Sequence, residues 1–159
     1  MRKVLILGIV LLLAAPVFAG EATMKGTWTF GSGVNSAGGA GTSIGYFYYD
    51  NIEFGGGFYY SSRDNAGTST SDMSISLGAT YYLDMMGPGQ PFGHAAVGYS
   101  SWDNGVTTGS GEILDLGAGY QMFLQDNIAW FGKLGYEMGM GDYDYSDLNL
   151  SIGLKVFVF

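Results

Sequence analysis

Residues 71–83 read Ser71-Asp72-Met73-Ser74-Ile75-Ser76-Leu77-Gly78-Ala79-Thr80-Tyr81-Tyr82-Leu83. Met73, Ile75, Leu77, Ala79, Tyr81 and Leu83 make one set; Asp72, Ser74, Ser76, Gly78, Thr80 and Tyr82 make the other. Successive side chains of a strand point to opposite faces. The stretch is therefore a strand with one apolar face and one small or polar face. Residues 148–159 repeat the pattern. Leu148, Leu150, Ile152, Leu154, Val156 and Val158 alternate with Asn149, Ser151, Gly153, Lys155, Phe157 and Phe159.

Eight such runs are expected, at 22–33, 42–50, 52–62, 71–83, 92–102, 112–123, 128–140 and 148–159. Most are longer than the ~5–6 residues usual for soluble strands and close to the ~9–11 of a tilted strand that crosses a bilayer. The intervening segments alternate in character. Residues 34–41, 63–70, 103–111 and 141–147 are rich in Gly, Ser, Thr, Asn and Asp and are expected to be the longer loops. Asp50-Asn51, Gln125-Asp126-Asn127 and the segment 84–91 with Gly87-Pro88-Gly89 are expected to be tighter turns. Two segments also resemble one another: GYFYYDNIEFG at 45–55 and GYQMFLQDNIAWFG at 119–132. Both suit consecutive antiparallel hairpins rather than βαβ units.

Composition narrows the class. The chain has 159 residues, no Cys, 28 Gly, 10 Phe, 12 Tyr and 3 Trp, and only 13% charged residues. So many aromatics and so little charge exclude a disordered tail. The lack of Cys excludes a disulfide or thiolate-zinc scaffold. Fourteen acids against six bases, a formal charge of −8, exclude a basic nucleic-acid binder. At the N-terminus, Met1-Arg2-Lys3, the apolar run 4–15 and Pro16-Val17-Phe18-Ala19 have the form of a secretory signal peptide. Cleavage is expected between Ala19 and Gly20, leaving 20–159 as one domain. The apolar run is too short for the ~20 residues of a spanning helix.

Residue types suggest which face is inside. Trp28, Phe30, Ile44, Phe54, Phe58, Leu114, Leu116, Tyr120, Leu134 and Tyr136 share one face with Met24. Thr23, Lys25, Thr27, Thr29, Ser74, Ser76, Gly117, Gly119, Lys133, Gly135 and Glu137 lie on the other. A solvated exterior would be dense in charge; this second face is small and hydroxylated, which suits the narrow interior of an eight-stranded barrel. An interior polar network of Lys25, Asp72, Asp115, Lys133, Glu137 and Lys155 is expected, because buried charges must meet their opposites. Aromatics are expected to form two girdles. One, near the tight turns, holds Tyr48, Tyr49, Tyr81, Phe92, Phe123, Trp130, Phe157 and Phe159. The other, near the loops, holds Phe30, Tyr59, Tyr60, Tyr99, Trp102, Tyr136, Tyr143 and Tyr145.

With these features the chain resembles the small eight-stranded outer-membrane proteins of Gram-negative bacteria, of the OmpX and Opa type and the barrel half of OmpA. The resemblance covers 20–159. It implies an all-β, up-and-down transmembrane barrel in the outer membrane, among outer-membrane lipids and lipopolysaccharide. It also implies that Phe159 and Phe157 serve as the C-terminal signal for the barrel-assembly machinery. The chain departs from that pattern at Lys155, where an apolar residue is usual; a bulge near the end would reconcile the phase.

No cofactor or resident metal is expected. The acidic loop 142–147 lacks the Gly and the bidentate Glu of a calcium loop. The one histidine, His94, follows a turn expected at the periplasmic end and is expected to be structural, since a lipid A enzyme needs its histidine at the outer side with a positioned partner. The expected function is a non-enzymatic barrel with a packed polar interior and an envelope-structural or surface-interaction role, its surface ligand unspecified. The alternatives are a small channel or transporter of the OmpW type for hydrophobic or small solutes, and a lipid A-modifying enzyme.

Overall fold

The computed structural model describes residues 25–36, 38–65, 68–86, 88–141 and 145–159. The expected leader, its cut between Ala19 and Gly20, Thr23 and Met24, and residues 142–144 of the acidic loop lie outside the described residues. Eight strands follow in order: β1 (Trp28–Asn35), β2 (Ala40–Tyr49), β3 (Ile52–Asn65), β4 (Thr68–Tyr82), β5 (Gly89–Asp103), β6 (Thr108–Gln125), β7 (Ile128–Gly141) and β8 (Tyr145–Val158). Each pairs antiparallel with the next, and β1 pairs with β8, closing an up-and-down barrel. Closure leaves no sheet edge unpaired, the condition for β-structure in lipid.

The exterior is apolar. On β4, Ile75 and Leu77 are 63% and 68% exposed, and the outward positions of β1, β3, β5, β7 and β8 are of the same kind. Leaving one such side chain in water forfeits roughly 1.5–3 kcal/mol relative to burial. A whole ring of them is a surface for hydrocarbon. Tyr48, Tyr49, Tyr81, Trp130 and Phe159 are exposed near the turn end, and Tyr60, Tyr99 and Tyr136 toward the other.

Strand ends differ from the sequence expectation. The stretches read as longer loops are mostly strand. β3 and β4 stay paired out to Asn65 and Thr68, and β5 and β6 out to Asp103 and Thr108. Ser, Thr and Asp carry no apolar alternation there, yet the backbone ladder, propagated from the paired strands below, continues through them. β6, with 18 residues, is well beyond the ~9–11 that cross a bilayer. The barrel therefore rises past the apolar band on this side. Conversely, β1 begins only at Trp28 and has 8 residues. The fourth turn closes with Met86 bridged to Gly89.

Both Asp-Asn hairpins have the same construction. The pairs Tyr49↔Ile52 and Gln125↔Ile128 flank two-residue turns, Asp50-Asn51 and Asp126-Asn127. Each turn is preceded by a register shift, at Phe47/Tyr49 and Phe123/Gln125. The backbone N–H of Tyr82 donates to the carbonyl of Asn51, and that of Phe157 to the carbonyl of Asn127, each at 2.9 Å. The resemblance between 45–55 and 119–132 is thus a repeated piece of structure, placed on opposite sides of the barrel.

Candidate functional site in the barrel lumen

Three layers fill the lumen from the turn end. The lowest is aromatic. Phe47, Tyr82, Phe92, Ala129 and Phe157 form a buried cluster, with Phe123 and Phe131 packed against it. Ring centroids lie 5.4 Å apart for Phe47–Tyr82, 5.7 Å for Tyr82–Phe92 and 5.5 Å for Phe123–Phe157, in the range of favourable tilted contacts. Phe47 and Phe123, equivalent residues of the two hairpins, lie on the inward phase that Gly45 and Gln121 share on β2 and β6. Phe92, Phe123 and Phe157 therefore face the lumen, not the lipid girdle expected for them. Tyr59, Trp102 and Tyr145 also leave the expected outer girdle, since they fall on the inward phase of β3, β5 and β8.

The second layer is ionic. Lys155 Nζ donates to Glu53 Oε2 at 2.7 Å and to the Tyr82 hydroxyl at 2.7 Å. Tyr82 donates to Glu53 Oε2 at 2.5 Å, and the Thr29 hydroxyl donates to Glu53 Oε1. Gly45 makes this possible, since a Cβ there would collide with the Glu53 carboxylate. Lys155 needs no bulge to enter the lumen. β8 runs in unbroken register beside β1 and β7, so Lys155 and Phe157 share its inward face.

The third layer sits higher on β5, β6 and β7. Lys133 Nζ binds Asp115 Oδ2. His94 Nε2 lies 3.8 Å from the same carboxylate, and His94 Nδ1 is 2.9 Å from the Thr80 hydroxyl. A Cβ on Gly117 would stand 3.1 Å from Lys133 Cδ, so this glycine lets the lysine chain lie back along β6 to reach Asp115.

The residues expected to form one network are therefore dispersed. Asp115 and Lys133 meet, but Lys155 pairs with Glu53, which sequence reasoning passed over. Glu137 accepts a hydrogen bond from Tyr145. Asp72 stands at the outer end of β4, paired across to Ser61 and Trp102, where Arg63 is the positive charge it feels. Lys25 is corrected outright. It precedes β1, is exposed, and its backbone N–H donates to Asp50 Oδ1 at 2.8 Å. The signal for Glu53 was present: an isolated charge after a tight turn, in phase with Gly55 and Gly57.

Above the ion pairs lies a cavity of about 260 Å³, bounded by Glu53, Lys155, Asp115, Lys133 and His94 below and reaching Asn35 and Tyr59. The Tyr59 hydroxyl donates to Asn35 Oδ1 at 3.1 Å. Among the described residues no group of three His, Asp or Glu is placed to hold a metal.

An apolar, lipid-matched exterior around a lumen closed by aromatics and ion pairs defines a small transmembrane-type β-barrel. Comparison with known proteins gives the same class. No family model matches the chain, and no curated protein sequence is recognisably similar. Solved structures do match. The N-terminal barrel domain of Pseudomonas aeruginosa OprF superposes with a TM-score of 0.62 at 18% identity, over 84% of this chain and 98% of that one. Neisserial surface protein A gives 0.60 at 19% identity, over 82% and 92%. Ail of Yersinia pestis gives 0.54 at 16% identity, over 84% and 99%. The fold is that of the small eight-stranded outer-membrane barrels of Gram-negative bacteria.

Proposed function

We propose that this chain is a non-enzymatic integral outer-membrane protein with a closed lumen, serving envelope structure or surface interaction. The observation that carries the reading is the aromatic layer of Phe47, Tyr82, Phe92 and Phe157 beneath two layers of paired charge. Phe159, exposed at the end of β8, is the residue offered to the barrel-assembly machinery, while Phe157 serves packing. Lipids and lipopolysaccharide are the surroundings this exterior fits. The exposed outer rim carries Asp64, Asp103, Glu112 and Asp147 against Arg63, which disfavours a polyanionic surface ligand.

The test is conductance in planar bilayers. The refolded protein is expected to give no stable unitary steps, and the Phe47→Ala/Phe157→Ala variant to give them. Steps from the unaltered protein would overturn the closed lumen and favour the second reading, a channel for small solutes, which the 260 Å³ cavity supports. A lipid A enzyme is disfavoured, because His94 faces the lumen beside Asp115 and Thr80 rather than the lipid. Lipid A masses are expected to be the same with the unaltered protein and with His94→Ala; a difference would revive the enzyme.

A further inference from the structure

The lipid-facing wall is not evenly filled. A groove of about 690 Å³ crosses its exterior from β1 to β6. Gly56, Ala79 and Ala95 form the floor. Leu77 and Val97, 68% and 62% exposed, stand along one bank, and Trp28 and Tyr46 close the end on β1 and β2 with their rings 4.8 Å apart. The groove also climbs. Cross-strand partners run from Trp28 through Tyr46, Phe54, Ala79 and Ala95, and on through β6 and β7 to Leu148 of β8. β8 descends toward the turn end, so Leu148 lies outward of Ser151, whose partner Asn35 is the outer end of β1. A path that starts at the turn end of β1 thus finishes beyond its outer end. The groove rises with that path, from the turn end at Trp28 toward the middle of the wall. A void beside these side chains forfeits their dispersion contacts, and a flexible hydrocarbon chain restores them.

Two opposite charges stand at the foot of this ramp. Lys25 precedes β1 and Asp50 follows β2. The Lys25 N–H donates to Asp50 Oδ1 at 2.8 Å, and the Gly26 N–H donates to the Phe47 carbonyl at 2.8 Å, so the two residues are held side by side. Both are exposed, and among the described residues neither has an ion-pair partner. Asp84 and Asp126, the other acids of this end, belong to other turns. Tyr48, exposed beside Asp50, marks the headgroup level. A cation and an anion at the foot of an apolar groove complement a zwitterion that carries a hydrocarbon tail. Its phosphate accepts from the Lys25 ammonium, and a primary ammonium donates to Asp50; a trimethylammonium group has no N–H to give. We propose that the exterior wall carries a site for one phospholipid with a primary-ammonium headgroup, phosphatidylethanolamine. Its phosphate lies at Lys25, its ammonium at Asp50 and one acyl chain in the groove. The site rests on the lipid-facing exterior proposed above.

The test uses the full chain with a single tryptophan, refolded into phosphatidylcholine vesicles that hold a small fraction of one brominated lipid. Trp28, at the foot of the groove, is read in Trp102→Phe/Trp130→Phe. Trp130, on β7 and outside the groove, is read in Trp28→Phe/Trp102→Phe. Brominated phosphatidylethanolamine is expected to quench Trp28 at least threefold more than brominated phosphatidylcholine or phosphatidylglycerol does, and all three are expected to quench Trp130 alike. Lys25→Gln, Asp50→Asn and the groove-filling Ala79→Leu are each expected to abolish the preference, with heat-modifiable gel mobility showing that each variant is folded. Equal quenching of Trp28 by the three lipids overturns the site. So does a preference for phosphatidylglycerol, the same preference at Trp130, or a preference that survives in the folded variants. Trp28 unquenched beside a quenched Trp130 also overturns it, since a second copy or another protein then covers the groove. Absent quenching of both tryptophans contradicts the lipid-facing exterior itself, and the site with it.

Discussion

Lys155 joins two partners in the second layer of the lumen, Glu53 and Tyr82. They hold its ammonium between the aromatic layer and the cavity above. Removing one member of a buried pair leaves the other uncompensated, at a cost of about 3–5 kcal/mol. Lys155→Met and Glu53→Gln are each expected to destabilise the refolded barrel by that order in urea titration. The double variant is expected to lose less than the sum, because it leaves no unpaired charge. Additive losses would show that the pair does not act as a unit. This pairing was not legible in the sequence. The partners are 102 positions apart, and only the stagger of the closed barrel brings β3 and β8 side chains together. Lys133 and Asp115 were easier to anticipate, since β6 and β7 are neighbours.

At the scale of elements, the hairpins were read well and the strand ends were not. Asp50-Asn51 and Asp126-Asn127 stand out because turn residues interrupt an otherwise apolar alternation. Asn51 adopts φ 63°, a left-handed conformation that Asn tolerates and β-branched residues resist. Asn51→Val is expected to cost about 1–2 kcal/mol in urea titration, with Asn51→Gly near neutral. A neutral Asn51→Val would mean that the turn relaxes to another conformation. The loop side was misread for a different reason. Pairs such as Asn65↔Thr68 and Asp103↔Thr108 are maintained by a ladder that starts deep in the barrel, and local composition carries no sign of it. Lys25 failed for the same kind of reason, since the start of β1 is set by where β8 ends.

For the whole molecule, the alternation of residues 71–83 already implied a sheet with one lipid-matched face. The structure adds which aromatics belong inside: Phe47 and Phe123 keep the inward phase of β2 and β6 up to the turn. The barrel is inverted relative to a soluble one: apolar residues face lipid, and ion pairs and packed rings lie within. The three tryptophans test it. Trp28 and Trp130 lie on the exterior at 48% and 36% exposure. Trp102 falls on the inward phase of β5, its ring against Gly109 of β6. Single-tryptophan variants, the other two replaced by Phe, can be refolded into vesicles whose acyl chains are brominated. Strong quenching of Trp28 and Trp130 fluorescence is expected, with Trp102 little affected. Strong quenching of Trp102, or quenching of Trp28 and Trp130 by aqueous iodide rather than by the lipid, would contradict the account.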